Sequence, residues 1–154
     1  MRLRQDYLLG FCLAISMSFF ACHSASREQI SPAKDFTIIF GSGGGFTGMA
    51  EGYVIHGDGQ IEKWSGPYFR RSKAETVGVV TSEALQPLRQ MFETKAFERW
   101  SYQETGNMTT QVWCISGNDT TAVSWPGLEP GKDVPPAIQD FYGKLMHAVQ
   151  SASK

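Results

Sequence analysis

Residues Phe36 to Trp64, FTIIFGSGGGFTGMAEGYVIHGDGQIEKW, decide how the rest of the chain is read. Phe36, Ile38 and Phe40 alternate along one run, and Tyr53 and Ile55 along a second, the period of two that belongs to a strand with one buried face. His56-Gly57-Asp58-Gly59 has tight-turn chemistry and joins the second run to Gln60–Trp64, so a hairpin is expected to nucleate a small sheet. Between the first two runs lies Gly41-Ser42-Gly43-Gly44-Gly45, expected to be a mobile or bulged connection where glycine tolerates positive φ. A phosphate-binding loop would need Lys and Ser or Thr after its last glycine and a helix opening there. Here Phe46-Thr47-Gly48 and another strand follow instead.

Beyond Trp64, the Gly66, Pro67, Tyr68, Phe69, Arg70 and Arg71 segment breaks the strand, and Val77, Val79 and Val80 suggest another short one. Leu85, Leu88 and Phe92, with Met91 beside them, predict an amphipathic helix over Glu83–Thr94, with Thr81 or Ser82 as N-cap. Pro87 is tolerated only near a first turn, which draws the expected helix start toward it. A second hairpin follows, Thr109–Ser116 and Thr120–Trp125 about a Gly117-Asn118-Asp119 turn. A last helix, expected after Asp133 as N-cap, carries the stripe Ile138, Phe141, Tyr142, Leu145, Met146 and Val149. The expected fold class is α+β: an antiparallel sheet from two hairpins with two helices packed on one face, in ββα-ββα order.

At the other end, Arg2 and Arg4 precede the apolar run Leu8–Phe20, a signal-peptide layout, shorter than the roughly 20 apolar residues that cross a bilayer comfortably. Ala21-Cys22 closes it and resembles the lipobox of bacterial lipoproteins, with Phe19 and Phe20 where that family prefers Leu and a small residue. The resemblance implies acylation of Cys22 as the first mature residue and a lipid anchor in the cell envelope. His23 stands where Asp would retain some lipoproteins in the inner membrane, so the outer membrane, facing periplasm or surface, is the expected address. A cut after Ala25 would release a soluble periplasmic protein instead, and an uncut run would be a retained anchor. The expected division is residues 1–21 signal peptide, 22–34 lipidated cysteine and flexible polar tether, and 35–154 one domain. Of the 14 basic and 15 acidic side chains, two basic and one acidic leave with residues 1–21, so the mature net charge is −2 and nothing draws it to nucleic acid. Of three cysteines, Cys12 leaves with the signal and Cys22 carries the lipid, so Cys114 stands alone and is expected to be a small buried apolar residue.

Gly57-Asp58-Gly59, then Thr81-Ser82-Glu83-Ala84-Leu85 with Leu88, then Thr109-Thr110 and Thr120-Thr121 resemble a class of uncharacterised small bacterial lipoprotein domains. In that class a glycine-containing hairpin with a G-D/N-G turn precedes a T/S-x-E-x-L-x-x-L helix, and a Thr-rich hairpin and C-terminal helix close the domain. The likeness covers most of Phe36 to Val149 and brings no activity with it; where members often carry Cys-Pro in the first hairpin, this chain has Gly41–Gly48.

No catalytic constellation stands out, and no cofactor or metal is implied. His56 and Asp58 could face the same way but are two ligands, not a site. Ser42 lacks the strand-to-helix setting of a nucleophile elbow. Glu51, Asp58, Glu62 and Glu104 could converge only through the fold. Aromatic content is the positive signal: Trp64, Tyr68 and Phe69 with Arg70 and Arg71 sit in and beside a Gly/Pro break, the composition of binding hot spots. The leading expectation is a non-enzymatic, lipid-anchored envelope module that binds a protein or glycan through Gly43, Gly44, Gly45, Phe46, Tyr68, Phe69, Arg70 and Arg71. The alternatives are a small periplasmic hydrolase using a carboxylate pair or His56, and an inhibitor that inserts the glycine-rich loop into an enzyme cleft.

Overall fold

The computed structural model describes residues 35–152, so the signal peptide, Cys22 and the tether lie outside the described residues. Six strands form one antiparallel sheet: β1 Phe36–Gly44, β2 Met49–His56, β3 Gln60–Pro67, β4 Lys73–Val79, β5 Met108–Ser116 and β6 Asp119–Pro126. Their spatial order is β4-β3-β2-β1-β5-β6. Helix α1, Ser82–Glu93, follows β4, and α2, Pro136–Ser151, follows β6. The fold is thus α+β, but the order is ββββα-ββα and not two ββα units. The segment expected to break the strand after Trp64 instead extends β3 to Pro67 and reverses into β4, which adds a second pair of strands before the first helix.

Both helices pack on one face of the sheet. Phe36, Ile38, Phe40, Ile55, Ile61, Val112, Cys114, Val123 and Trp125 meet Leu85, Leu88 and Phe92 of α1 and Ile138, Phe141 and Leu145 of α2. Phe92 is clamped between Phe36, stacked at 4.2 Å between ring centroids, and Phe97 at 4.5 Å; each such pair adds about 0.5–1.5 kcal/mol beyond area burial. Arg89 donates to the Gly57 carbonyl at 3.0 Å and so ties α1 to the β2–β3 turn. The opposite face carries a smaller cluster of Ile39, Ala50, Val54 and Trp64, with Phe69, Trp113 and Ile115 against it.

The local expectations are corrected in three places. Gly41 to Gly44 are not a connection: they belong to β1, and the turn is Gly45–Gly48. Helix α1 starts at Ser82, capped by Thr81 Oγ1 accepting from the Ala84 N–H at 3.4 Å, so Pro87 sits inside it. The amide that Pro87 lacks would have served the carbonyl of exposed Glu83, where solvent is an alternative partner. Asp133 caps nothing; α2 begins at Pro136 after Pro135, and Gln139 Nε2 donates to the Val134 carbonyl at 2.6 Å to hold the entry.

Candidate functional site

Four of the five glycines of β1 to β3 share a side of the sheet. Gly41 pairs with Gly52, Gly52 with Trp64, Gly43 with Ala50 and Ala50 with Gly66. Alternation therefore puts Gly41, Gly43, Gly52 and Gly66 on the helix-free face, a strip of backbone without Cβ atoms. The strip is occupied. A Cβ on Gly41 would lie 2.6 Å from Trp64 Cζ2 and also strike the Glu51 carbonyl, and one on Gly66 would strike the carbonyl of Arg70. Trp64 thus packs against bare backbone at Gly41, 1% exposed, and donates Nε1 to the Tyr53 carbonyl at 3.3 Å.

Phe69 completes this layer. Its ring stands 6.3 Å from Trp64 and 6.0 Å from Trp113, so Phe69 supports the β3–β4 turn from inside and is not free for contact, unlike the sequence expectation for it. The turn itself is strained. Arg70 N–H donates to the Pro67 carbonyl at 2.9 Å across Tyr68 and Phe69, whose φ angles are +50° and +59°. That is the pattern of a type I′ hairpin turn, normally filled by Asn-Gly. Two side-chain-bearing residues there cost roughly 1–2 kcal/mol each. Phe69 packing offsets the cost at its own position, whereas Tyr68 gains only a mostly exposed contact of its ring over Gly48.

Tyr68 is 78% exposed. Its N–H donates to the Gly48 carbonyl at 2.8 Å, and its ring lies over Gly48, where a Cβ would come within 2.9 Å. The β1–β2 and β3–β4 turns are therefore locked side by side at one end of the sheet. Phe46, at the apex of the first turn, meets no neighbour and is fully exposed. Glycines at both sides make that turn possible, with φ of +66° at Gly45 and +61° at Gly48. Arg70 and Arg71 are exposed on the second turn. The sequence thus marked Phe46, Tyr68, Arg70 and Arg71, and the fold brings their two turns together; Gly43 and Gly44 lie in β1 behind them, Gly44 against the Asn107 carbonyl.

Sequence reasoning missed two further members of this tip, Met49 and Leu128, which are 49% and 59% exposed. With Met108, Ser42, Glu51 and Ser65 they line a cleft of about 280 Å³. On the helix side it adjoins a second hollow of about 250 Å³ between Phe40, Tyr53, Lys63, Tyr142 and Met146. Glu51 and Lys63 form an exposed ion pair across it at 3.7 Å. Behind it Ser42 and Thr110 share a 2.6 Å hydrogen bond, and Thr110 donates to the Gly127 carbonyl at 2.7 Å, which fixes the chain leading to Leu128. No run in the sequence announces Met49 or Leu128, because they meet only through pairing of β1 with both β2 and β5.

The residues weighed for catalysis are dispersed. Glu51 projects on the helix side and Glu62 on the other, His56 Nε2 lies 3.4 Å from Glu62 Oε1, and Asp58 Oδ1 accepts from Gln60 N–H at 2.9 Å within its turn. Glu104 lies beyond β6, its N–H donating to the Ser124 carbonyl at 3.0 Å. Among the described residues, no three His, Cys, Asp or Glu side chains gather as metal ligands would. Cys114 is buried in the core, and burial pushes its thiol up to about 12, so it is held as an unreactive neutral group. No described helix is long and apolar enough to cross a membrane.

These features define a single-sheet α+β domain with one helical layer and an exposed aromatic and basic tip. No protein-family model matches the chain, and no curated protein matches it.

Proposed function

We propose that this chain is a non-enzymatic contact module of the cell envelope, of the small lipoprotein kind that its sequence resembles, anchored through a lipid on Cys22. Its tip, with Phe46, Tyr68, Arg70 and Arg71, is the contact surface for another envelope component. The observation that carries this reading is Tyr68: a mostly exposed aromatic held at φ +50° where Asn or Gly would be less strained. Its only local return is the contact of its ring over Gly48, and strain so little offset by burial motivates reading the position as one kept for what it touches.

The direction of the tip supports the same reading. β1 runs from Phe36, beside His56 and Ser116, to Gly44, beside Met49 and Met108. Eight steps of strand carry the tip roughly 27 Å from the point where the tether enters. The tip therefore lies at the end of β1 opposite Phe36, clear of the chain's entry into the domain.

Tyr68→Asn separates this function from folding, because Asn tolerates the left-handed region. Relief of left-handed strain offsets loss of the ring contact on Gly48, so stability is expected to stay within about 1 kcal/mol of the parent, while the neighbours that the full lipoprotein captures by cross-linking in its native envelope are lost. The same captured set from the parent and from Tyr68→Asn and Phe46→Ser chains would overturn the proposal.

A further inference from the structure

Resting on that reading of the tip as a contact surface, we infer that what it contacts is an anionic bilayer surface. The tip is convex. Phe46 is fully exposed at the apex of its turn, and Tyr68, also mostly exposed, stands on the adjoining turn. Its two turns, 45–48 and 68–71, comprise eight residues, whereas a stable protein interface takes roughly 20–30 residues a side. A protruding apolar ring with a phenol beside it suits a boundary where hydrocarbon meets headgroups, since Phe gains by entering the acyl region and Tyr by spanning the edge.

The charge agrees. Segment 68–73 carries Arg70, Arg71 and Lys73 and no acid, in a mature chain of net charge −2. Of the nearest acids, Glu51 pairs with Lys63 at 3.7 Å, and Glu75, opposite the same lysine in the β3–β4 register, is two residues from Lys73. With Glu129, beside Leu128, three acids stand against the four basic side chains Lys63, Arg70, Arg71 and Lys73, and the excess positive charge is on the turn itself. Arginines placed within a headgroup's reach of an inserting aromatic combine burial with attraction to lipid phosphate, the two contributions that surface-binding segments use. Soluble phosphate esters would engage the arginines alone, so dependence on Phe46 identifies the bilayer as the source of the phosphate.

The test uses the mature chain from residue 22 with Cys22→Ser, which leaves the described domain intact and removes the lipid. Binding is measured by co-sedimentation with vesicles of phosphatidylcholine alone and of phosphatidylcholine with phosphatidylglycerol in equal parts. Binding to the mixed vesicles is expected, weakened by added salt. Phe46→Ser is expected to lower it about tenfold. Arg70→Ser and Arg71→Ser should each lower it about fivefold. Phe46 makes no contacts, so its variant retains the fold, and an unchanged unfolding midpoint verifies this. Equal binding by parent and Phe46→Ser, or no binding to either vesicle, overturns the inference. If vesicles are not bound while Tyr68→Asn still loses its cross-linked neighbours, the lipid inference falls and a protein or glycan takes its place at the tip. If neither measurement responds, the contact reading falls with it.

Discussion

Gly41→Ala tests the arrangement on which the tip depends. The backbone of Gly41 is ordinary strand, so the substitution introduces no left-handed strain, and its effect is steric. The new methyl would sit 2.6 Å from Trp64 Cζ2 and 2.9 Å from Gly52 Cα, and would also strike the Glu51 carbonyl. Two of these three atoms are backbone in a paired strand, and the third belongs to a ring that is 1% exposed and bonded through Nε1 to Tyr53. None can withdraw cheaply. Overpacking of this kind costs about 1–3 kcal/mol, and the absence of a flexible neighbour places Gly41→Ala at about 3 kcal/mol. For a domain of this size the thermal midpoint should fall by roughly 10 °C. Gly45→Ala is the contrast. Its Cβ would meet only Met108 Sδ at an ordinary 3.6 Å, but φ there is +66°, so the cost is conformational and about 1 kcal/mol. Urea unfolding of both variants, followed by tryptophan fluorescence, ranks the two effects. A Gly41→Ala chain within about 0.5 kcal/mol of the parent, or less affected than Gly45→Ala, would refute the view that this glycine makes room for Trp64.

Phe69→Ala should destabilise the domain by about 2 kcal/mol, below the usual range for a buried aromatic because the ring is only half-buried. It should also shift tryptophan emission to the red as Trp64 and Trp113 gain water; an unchanged spectrum would mean that the ring does not seal that face. Alkaline pH should weaken the fold through Cys114. Its thiol is raised from 9.0 to about 12 by burial, so its contribution is complete below pH 9 and is lost as pH climbs from about 9 through about 12. The urea midpoint of the parent is therefore expected to fall more between pH 8 and pH 11 than that of Cys114→Ala. Equal slopes would show that the thiol ionises as freely in the folded chain as in the unfolded one. Tyr142, raised by burial and by Glu129, acts in the same sense in both chains.

Much of the architecture was legible where a single physical rule decides it. Period-two alternation located β1 and β2, and the Leu85, Leu88 and Phe92 stripe located α1, because each pattern reflects one buried side of one element; the Gly117-Asn118-Asp119 turn located the β5–β6 hairpin. The Gly57-Asp58-Gly59 turn was legible because its chemistry permits little else, and Gly59 does adopt φ +98°. The Tyr68-Phe69 turn was not legible, since it violates the residue preference of its own turn type and is held by packing of Phe69 on Trp64 and Trp113. Misreading it as a break removed the extended β3–β4 hairpin from the expected order. The glycine run misled for a related reason: Gly41 and Gly43 look like loop residues until their i, i+2 spacing is set against Gly52 and Gly66 on neighbouring strands. That spacing was the available signal for the floor beneath Trp64.

By itself the sequence determined the α+β class, the position of both helices and of the core of most strands, and the aromatic and basic composition of the Tyr68–Arg71 segment, all consequences of local pattern and residue chemistry. Only the tertiary structure decided that Phe69 turns inward while Tyr68 stays out, that Met49 and Leu128 join Phe46 at one end, and that this end lies opposite Phe36. Those outcomes depend on strand register and on which face of a shared sheet each side chain takes. Register is a relation between segments distant in the chain, set by their joint burial, and no one of them encodes it alone.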